Sequence, residues 1–226
     1  MSAAGAFVVA IDGPAAAGKG TLARRLAERF GLAHLDTGRL YRAVAFLLLE
    51  SGSDPADPAA ASAAARRVDP SRLADPRLSG EAVARASSIV AAMPAVRQAL
   101  LETQRNFAAR PPVAASGPRA RGAVLDGRDI GTAVCPGAAV KLFVTASPEA
   151  RAERRFRELR ARGAAAIYQD VLQDMKERDA RDSERRVAPL AAAPDAVTID
   201  TTGLDADEVF EQACDFIARA LAARGP

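Results

Sequence analysis

Tryptophan is absent from this chain of 226 residues, tyrosine occurs twice and histidine once, and lysine is confined to positions 19, 141 and 176. With aromatics at 4%, few rings are present on which unpaired bases could stack, which argues against a single-strand nucleic-acid binder. The formal net charge of +3 rests almost wholly on arginine, and no recognition module accompanies it, so nucleic acid is not expected as a partner. The two cysteines, Cys135 and Cys214, are far apart and lack metal-type spacing. They read as buried free thiols rather than as a disulfide or a metal site. The single histidine, His34, has no companion in sequence and reads as structural. No apolar run approaches the ~20 residues that span a bilayer. The first residues lack the charged start and long apolar core of a secretory signal, so a cytoplasmic chain with no membrane partner is expected.

What the chain does contain is 49% hydrophobic and 26% charged residues, enough to bury a core in one main domain carrying a small appended segment. Its most informative stretch runs from the apolar Phe7–Ile11 through Asp12-Gly13-Pro14-Ala15-Ala16-Ala17-Gly18-Lys19-Gly20-Thr21 into a helical pattern. A triphosphate needs backbone N–H groups wrapped around it, glycines that let the chain approach, and one flexible cation reaching the outer phosphates. Gly13, Gly18 and Lys19 have that spacing, and the helix starting at Lys19 turns its positive end toward the same place. A glycine turn feeding a helix is the alternative for the pattern taken alone. Gly20 stands where a Mg²⁺-binding Ser or Thr is usual, with Thr21 one place later. Magnesium is therefore expected on phosphates and water, with no direct protein ligand.

Strands are expected at Ala33–Asp36, Ala123–Asp126, Val140–Ala146 and Ala196–Asp200. Helices are expected at Lys19–Phe30, from a Thr37 cap through Leu49, at Ser79–Ala92, at Pro94–Ala109 and from Asp205, where Glu208 completes a capping arrangement. Pro55, Pro58, Pro70 and Pro76 break up residues 51–79, and Pro111, Pro112, Ser116, Gly117 and Pro118 read as a surface loop. Strands alternating with helices over this length imply a parallel sheet covered on both faces, with ligands at the carboxyl ends of the strands.

Three polar motifs fall at that edge. In Asp36-Thr37-Gly38-Arg39-Leu40-Tyr41-Arg42, Arg42 lies one helical turn in, where a guanidinium can clamp a phosphate; a solvated helix face is the other reading. In Leu125-Asp126-Gly127-Arg128-Asp129-Ile130-Gly131-Thr132, Asp126 could orient magnesium-bound water, Arg128 reach phosphate and Asp129 accept from an exocyclic amine; a turn with local ion pairs is the alternative. In Glu177–Arg186, the residues Arg178, Arg181, Asp182 and Arg185 recur three and four apart as one stripe suited to a phosphate and a sugar hydroxyl, against a solvated charged face. Before it, Arg151–Gly163 is an arginine-rich helix that reads as a mobile lid or as a basic surface helix.

Together the segments IDGPAAAGKGT (11–21), LDTGRLYR (35–42), SSIVAAMPAVR (87–97), LDGRDIGT (125–132) and ERDARDSERRVAPL (177–190) resemble the bacterial cytidylate kinases, nucleoside monophosphate kinases that phosphorylate CMP and dCMP with ATP. The resemblance implies one P-loop kinase domain of α/β type. Its core would be about residues 1–50, 110–150 and 187–226, with a monophosphate-binding segment at about 51–109 and a lid at about 151–186. It implies that Gly13 to Thr21, with Arg154 and Arg155 from the lid, hold ATP. Arg42, Arg128 and Arg185 would bind the acceptor phosphate, Ser88, Arg97 and Asp129 the cytosine edge, and Arg178 with Asp182 the sugar, with Thr37 also among the CMP-binding residues. Lys19, Arg128, Arg185 and Asp126 would carry the catalysis. A uracil would set a carbonyl against Asp129, at a cost of about 1–3 kcal/mol. Family members usually carry a longer acceptor insertion, and a Ser or Gly where Ala15 or Ala16 stands. Another small-molecule P-loop kinase of adenylate or shikimate type, or a non-catalytic nucleotide sensor, are the competing readings, and a monomer is expected.

Overall fold

The structure is a computed structural model and describes residues 6–112 and 120–223. The expected loop residues Ser116, Gly117 and Pro118 lie outside them. The chain divides into two compact units, one comprising residues 1–35 with 107–226 and the other residues 36–106.

The larger unit is built on a sheet of β1 (Phe7–Asp12), β2 (Ala33–Asp36), β3 (Gly122–Gly127), β4 (Val140–Thr145) and β5 (Val197–Asp200), ordered β2-β3-β1-β4-β5. The β1–β3, β1–β4 and β4–β5 pairings are all parallel. Every residue of β3 is buried, as are Val9 through Asp12 of β1, the continuous burial of a parallel sheet covered on both faces. Helix α1 (Lys19–Phe30) packs Leu22, Ala23 and Leu26 with Val9, Ile11, Leu142 and Val144. Helix α8 (Ala206–Ala222) adds Val209, Ala213 and Ile217 to the same cluster. The capping box at its start is complete: the Asp205 side chain accepts from the Asp207 and Glu208 N–H groups, and Glu208 reaches back to Asp205 N–H.

Between β4 and β5 run α6 (Pro148–Ala161) and α7 (Tyr168–Glu184), the first capped by Ser147. Ala152, Leu159, Val171 and Met175 form a small core of their own between these helices. After β3 the chain makes a π-turn, Ile130–Val134, which sequence periodicity does not foreshadow. Cys135 and Cys214 are free thiols but half-exposed, not buried, and burial pushes the Cys214 thiol up. Among the described residues no helix is long and apolar enough to cross a membrane.

The smaller unit is helical: α2 (Thr37–Glu50), α3 (Pro58–Ala65), α4 (Glu81–Val90) and α5 (Pro94–Ala109), whose last residues belong to the larger unit. Two 3-10 turns, Pro70–Arg72 and Pro76–Ser79, lie between α3 and α4. Residues 51–79 are therefore more regular than the prolines suggested. Asp57, Asp69 and Asp75 each precede a proline and accept backbone N–H bonds from the turn that it opens. These prolines start helices instead of only breaking them. Two expected starts shift. Asp36, not Thr37, occupies the cap position of α2, and α4 begins at Glu81 because Ser79 belongs to the preceding turn.

Candidate active site

The loop after β1 is held by close approach. A Cβ on Gly13, which sits at φ 144°, would lie 1.9 Å from the Val144 carbonyl oxygen of β4, so no other residue fits there. Gly18 caps α1 at φ 91°, a conformation that favours glycine. Between them Ala16 takes φ 57°, which costs a non-glycine residue about 1 kcal/mol. Ala15 and Ala16 pack against the small α6–α7 core, beside Phe156 and Tyr168. Contact with those helices thus occupies the two positions where serine or glycine was expected.

Lys19, 6% exposed, donates to the Pro14 carbonyl oxygen at 2.6 Å, across the loop that it closes. Burial brings its ammonium down to about 7, Arg128 presses the same way, and Asp126 and Asp12 oppose. Asp126 is the penultimate residue of β3, and its Oδ1 lies 2.8 Å from Nε2 of His34 on β2. The histidine read as merely structural therefore sits against an expected catalytic carboxylate, 92 residues away in sequence. A Cβ on Gly20 would lie 3.7 Å from Asp126 Oδ2, so the residue beside Lys19 faces that carboxylate. Hard oxygen donors of this kind suit the water shell of a magnesium ion carried by phosphates, and among the described residues no group of three or more potential metal-ligating side chains gathers.

Arg128 donates from Nε to Asp182 Oδ2 at 2.8 Å, and Arg185 brings its guanidinium within 3.8 Å of both Asp182 and Asp129. Burial alone would raise the Asp182 carboxyl, but Arg128, Arg178 and Arg185 together hold it below the usual value. The sequence stripe is thereby corrected at one place: Arg181 is exposed, and Arg128 from the end of β3 joins Arg178 and Arg185 around the carboxylate. Arg185 is steadied by the turn after α7, donating to the Ala188 carbonyl oxygen at 2.5 Å. The Leu190 N–H closes back on the Asp182 carbonyl.

Of the two expected lid arginines, Arg154 donates to Thr201 Oγ1 and carbonyl oxygen, at 2.8 and 2.5 Å, and Arg155 pairs with Glu158 at 2.8 Å. Arg151 was missed. It is 4% exposed and joins three elements, donating to the Ala146 carbonyl at 2.9 Å and the Ala15 carbonyl at 3.3 Å and pairing with Asp179 of α7 at 2.7 Å. Nothing in its spacing distinguishes it from its neighbours. In the helical unit, Thr37 and Ser88 are buried. Arg42 donates to the Leu78 carbonyl at 3.0 Å, and Arg97 donates to the Ala91 carbonyl at 3.2 Å while its guanidinium lies 5.6 Å from the centre of the Tyr41 ring.

The sequence profile of the cytidylate kinase family matches residues 9–219. The chain belongs to the cytidylate kinase family. It is 56% identical over 212 residues to the cytidylate kinase of Rhodospirillum rubrum, covering 94% of this chain and 97% of that one. It is also 58% identical over 210 residues to the cytidylate kinase of Paramagnetospirillum magneticum, covering 93% and 97%. In fold alone it is similar to a solved structure described as an uncharacterized protein from Eubacterium ventriosum, with TM-score 0.50, 13% identity and coverage of 94% and 98%.

Proposed function

We propose that the chain transfers the γ-phosphoryl group of ATP to the phosphate of CMP and dCMP. The observation that carries this reading is the cluster of buried Arg185 and half-buried Arg128 and Arg178 around the buried Asp182, in a member of the cytidylate kinase family whose phosphate loop holds Lys19 within the field of Asp126. Residues Gly13 to Thr21 would wrap the donor phosphates with backbone N–H groups, with Arg154 and Arg155 added as α6 closes on them. By the family resemblance, Arg42, Arg128 and Arg185 would bind the acceptor phosphate, Arg178 and Asp182 the sugar, and Ser88, Arg97 and Asp129 the base, with Thr37 also serving CMP. Asp129 accepts from an exocyclic amine, which cytosine has and uracil lacks. The acceptor phosphate is already charged at neutral pH, so no general base is needed, and catalysis is positioning plus charge stabilisation by Lys19 and the arginines. Magnesium carried by the phosphates would neutralise their charge, and Asp126 would be the residue to orient water on it.

The test is ADP production from ATP and Mg²⁺ with CMP, dCMP, UMP, AMP, GMP or shikimate. Turnover fastest with CMP and dCMP is expected, with the preference for CMP over UMP falling by about 10-fold or more in Asp129→Ala. Turnover confined to another acceptor would overturn the substrate assignment.

A second expectation concerns Lys19. With its ammonium brought down to about 7, most free chains at pH 8 carry it neutral. A bound triphosphate favours the charged form, so ATP binding at pH 8 should take up about one proton. Calorimetry in buffers of different ionisation enthalpy measures this directly. Lys19→Arg should abolish the uptake, and no uptake in the unaltered chain would contradict the proposed contact.

A further inference from the structure

Asp12 belongs to none of the roles above, yet both oxygens of its carboxylate are engaged. It ends β1 at 3% exposure, its Oδ1 accepts from the Ile130 N–H at 2.7 Å, and its Oδ2 accepts from the Gly131 N–H at 2.7 Å. Those two donors open the π-turn Ile130–Val134. The residue at the cap position of that turn is Asp129, at φ −149° and ψ 26°, and its own side chain makes no capping bond. Aspartate is among the strongest cap formers because its carboxylate ordinarily takes the N–H of the second or third residue of the turn, here Gly131 or Thr132. Here a carboxylate from a different strand has taken the Gly131 N–H. The Asp129 side chain is instead 7% exposed, with the Arg185 guanidinium 3.8 Å away.

The arrangement is costly, which argues against simple structural convenience. Burial pushes the Asp12 carboxyl up to about 6 in spite of the two backbone bonds, with Asp129 adding to the rise and Lys19 opposing it. It is also tight. A Cβ on Gly131 would come within 3.3 Å of Asp12 Oδ2 and 3.2 Å of the Lys141 side chain, so the close approach depends on glycine at the second donor.

We propose that Asp12 is a positioning residue for acceptor recognition: by capping Ile130 and Gly131 from β1 it relieves Asp129 of the cap and sets that carboxylate toward the base. The proposal rests on the reading that Asp129 distinguishes cytosine from uracil. Without Asp12, the Asp129 carboxylate is free of competition for the Gly131 N–H and turns back onto its own loop. The group that Asp12 controls is a specificity group, so its loss should appear in the choice between acceptors more than in the handling of ATP.

The experiment measures kcat/KM for CMP and for UMP, and KM for ATP, in the full chain and in Asp12→Asn, Asp129→Ala, the double variant and Gly131→Ala. Asparagine keeps one acceptor but sets an amide donor against the other N–H. Asp12→Asn is expected to cut the CMP-to-UMP ratio by roughly 10-fold with a rise in KM for CMP. In the Asp129→Ala background the same change should leave the ratio unmoved, because the two residues act as one unit. Gly131→Ala, which presses on the clamp without removing a charge, should lower the ratio in the same direction and serves if Asp12→Asn fails to fold. Equal losses toward CMP and UMP, or additive losses of the ratio in the double variant, would overturn the proposal. If Asp129→Ala itself leaves the ratio unchanged, the cytosine reading fails first, and that result is distinct from a failure of Asp12 alone.

Discussion

Lys19→Met is expected to lower kcat by about 1,000-fold and, in the same protein, to raise the temperature of unfolding. The first effect follows from removing the one lysine that can follow charge onto the transferring phosphoryl group, where losing a single preorganised donor costs about 10²–10³ in rate and a full positive charge lies at the upper end. The second follows from burial. The folded-state value of about 7 lies below the ordinary 10.5, and that net fall already includes the attraction of Asp126 and Asp12. Below pH 7 the folded chain must carry a buried ammonium. Between about 7 and 10.5 the unfolded chain holds a proton that the folded chain has released, so the stability of the unaltered protein rises with pH across that window. Methionine keeps the stem and removes the charge, so the variant lacks this slope. Its advantage, about 1–3 kcal/mol, should be greatest below pH 7 and shrink toward pH 10. Thermal unfolding from pH 6 to pH 9, run beside steady-state kinetics, checks both halves. An inactive variant that is also less stable at pH 6 would contradict the electrostatic account of Lys19.

How much of this site could be read beforehand depends on the distance over which each feature is decided. Helix α1 and strand β2 fall at the expected residues, because glycines, apolar spacing and the switch from period 2 to period 3.6 are local. Residues 51–79 were harder. Each Asp-Pro pair carries both a breaker and a cap, and only the turn that follows decides which it is. The π-turn after Asp129 has no periodic signature, since its geometry depends on a carboxylate 118 residues away. His34 failed to announce itself for the same reason, because the lone imidazole acquires its partner only when β2 and β3 lie in one sheet. Arg151 stood unmarked among many arginines, and burial alone distinguishes it. Arg181 made the converse case. It shares the helical spacing of Arg178 and Arg185 but faces solvent, since a stripe three and four residues wide covers more of a helix than one buried carboxylate can occupy.

Asp182→Ala is expected to be the most destabilising single change in the site. Asp182 is 6% exposed and is the carboxylate that meets Arg128 and Arg185, with Arg178 also lowering its carboxyl. Its removal takes the shared counter-charge from the buried Arg185 and the half-buried Arg128 and Arg178. Breaking a buried pair in this way costs about 3–5 kcal/mol, more than any surface ion pair here could. In a protein of this size each kcal/mol moves the midpoint by about 2–4 °C, so unfolding should fall by roughly 10 °C. Asp182→Asn should lose less, since an amide oxygen can still accept from Arg128 Nε. The pH dependence has a definite sign. The folded value lies below the ordinary 3.8, so the carboxylate stabilises the fold above that value and ceases to do so as the pH falls through the folded one. The gap between the unaltered chain and Asp182→Asn should therefore close below about pH 4. Inorganic phosphate supplies the decisive comparison. A cluster stripped of its internal anion binds an external one more tightly, so phosphate should restore most of the lost stability in Asp182→Ala and add little to the unaltered chain. If Asp182→Ala unfolds at the same temperature as the unaltered chain and phosphate leaves it unmoved, Arg128 and Arg185 do not form the phosphate site proposed for them.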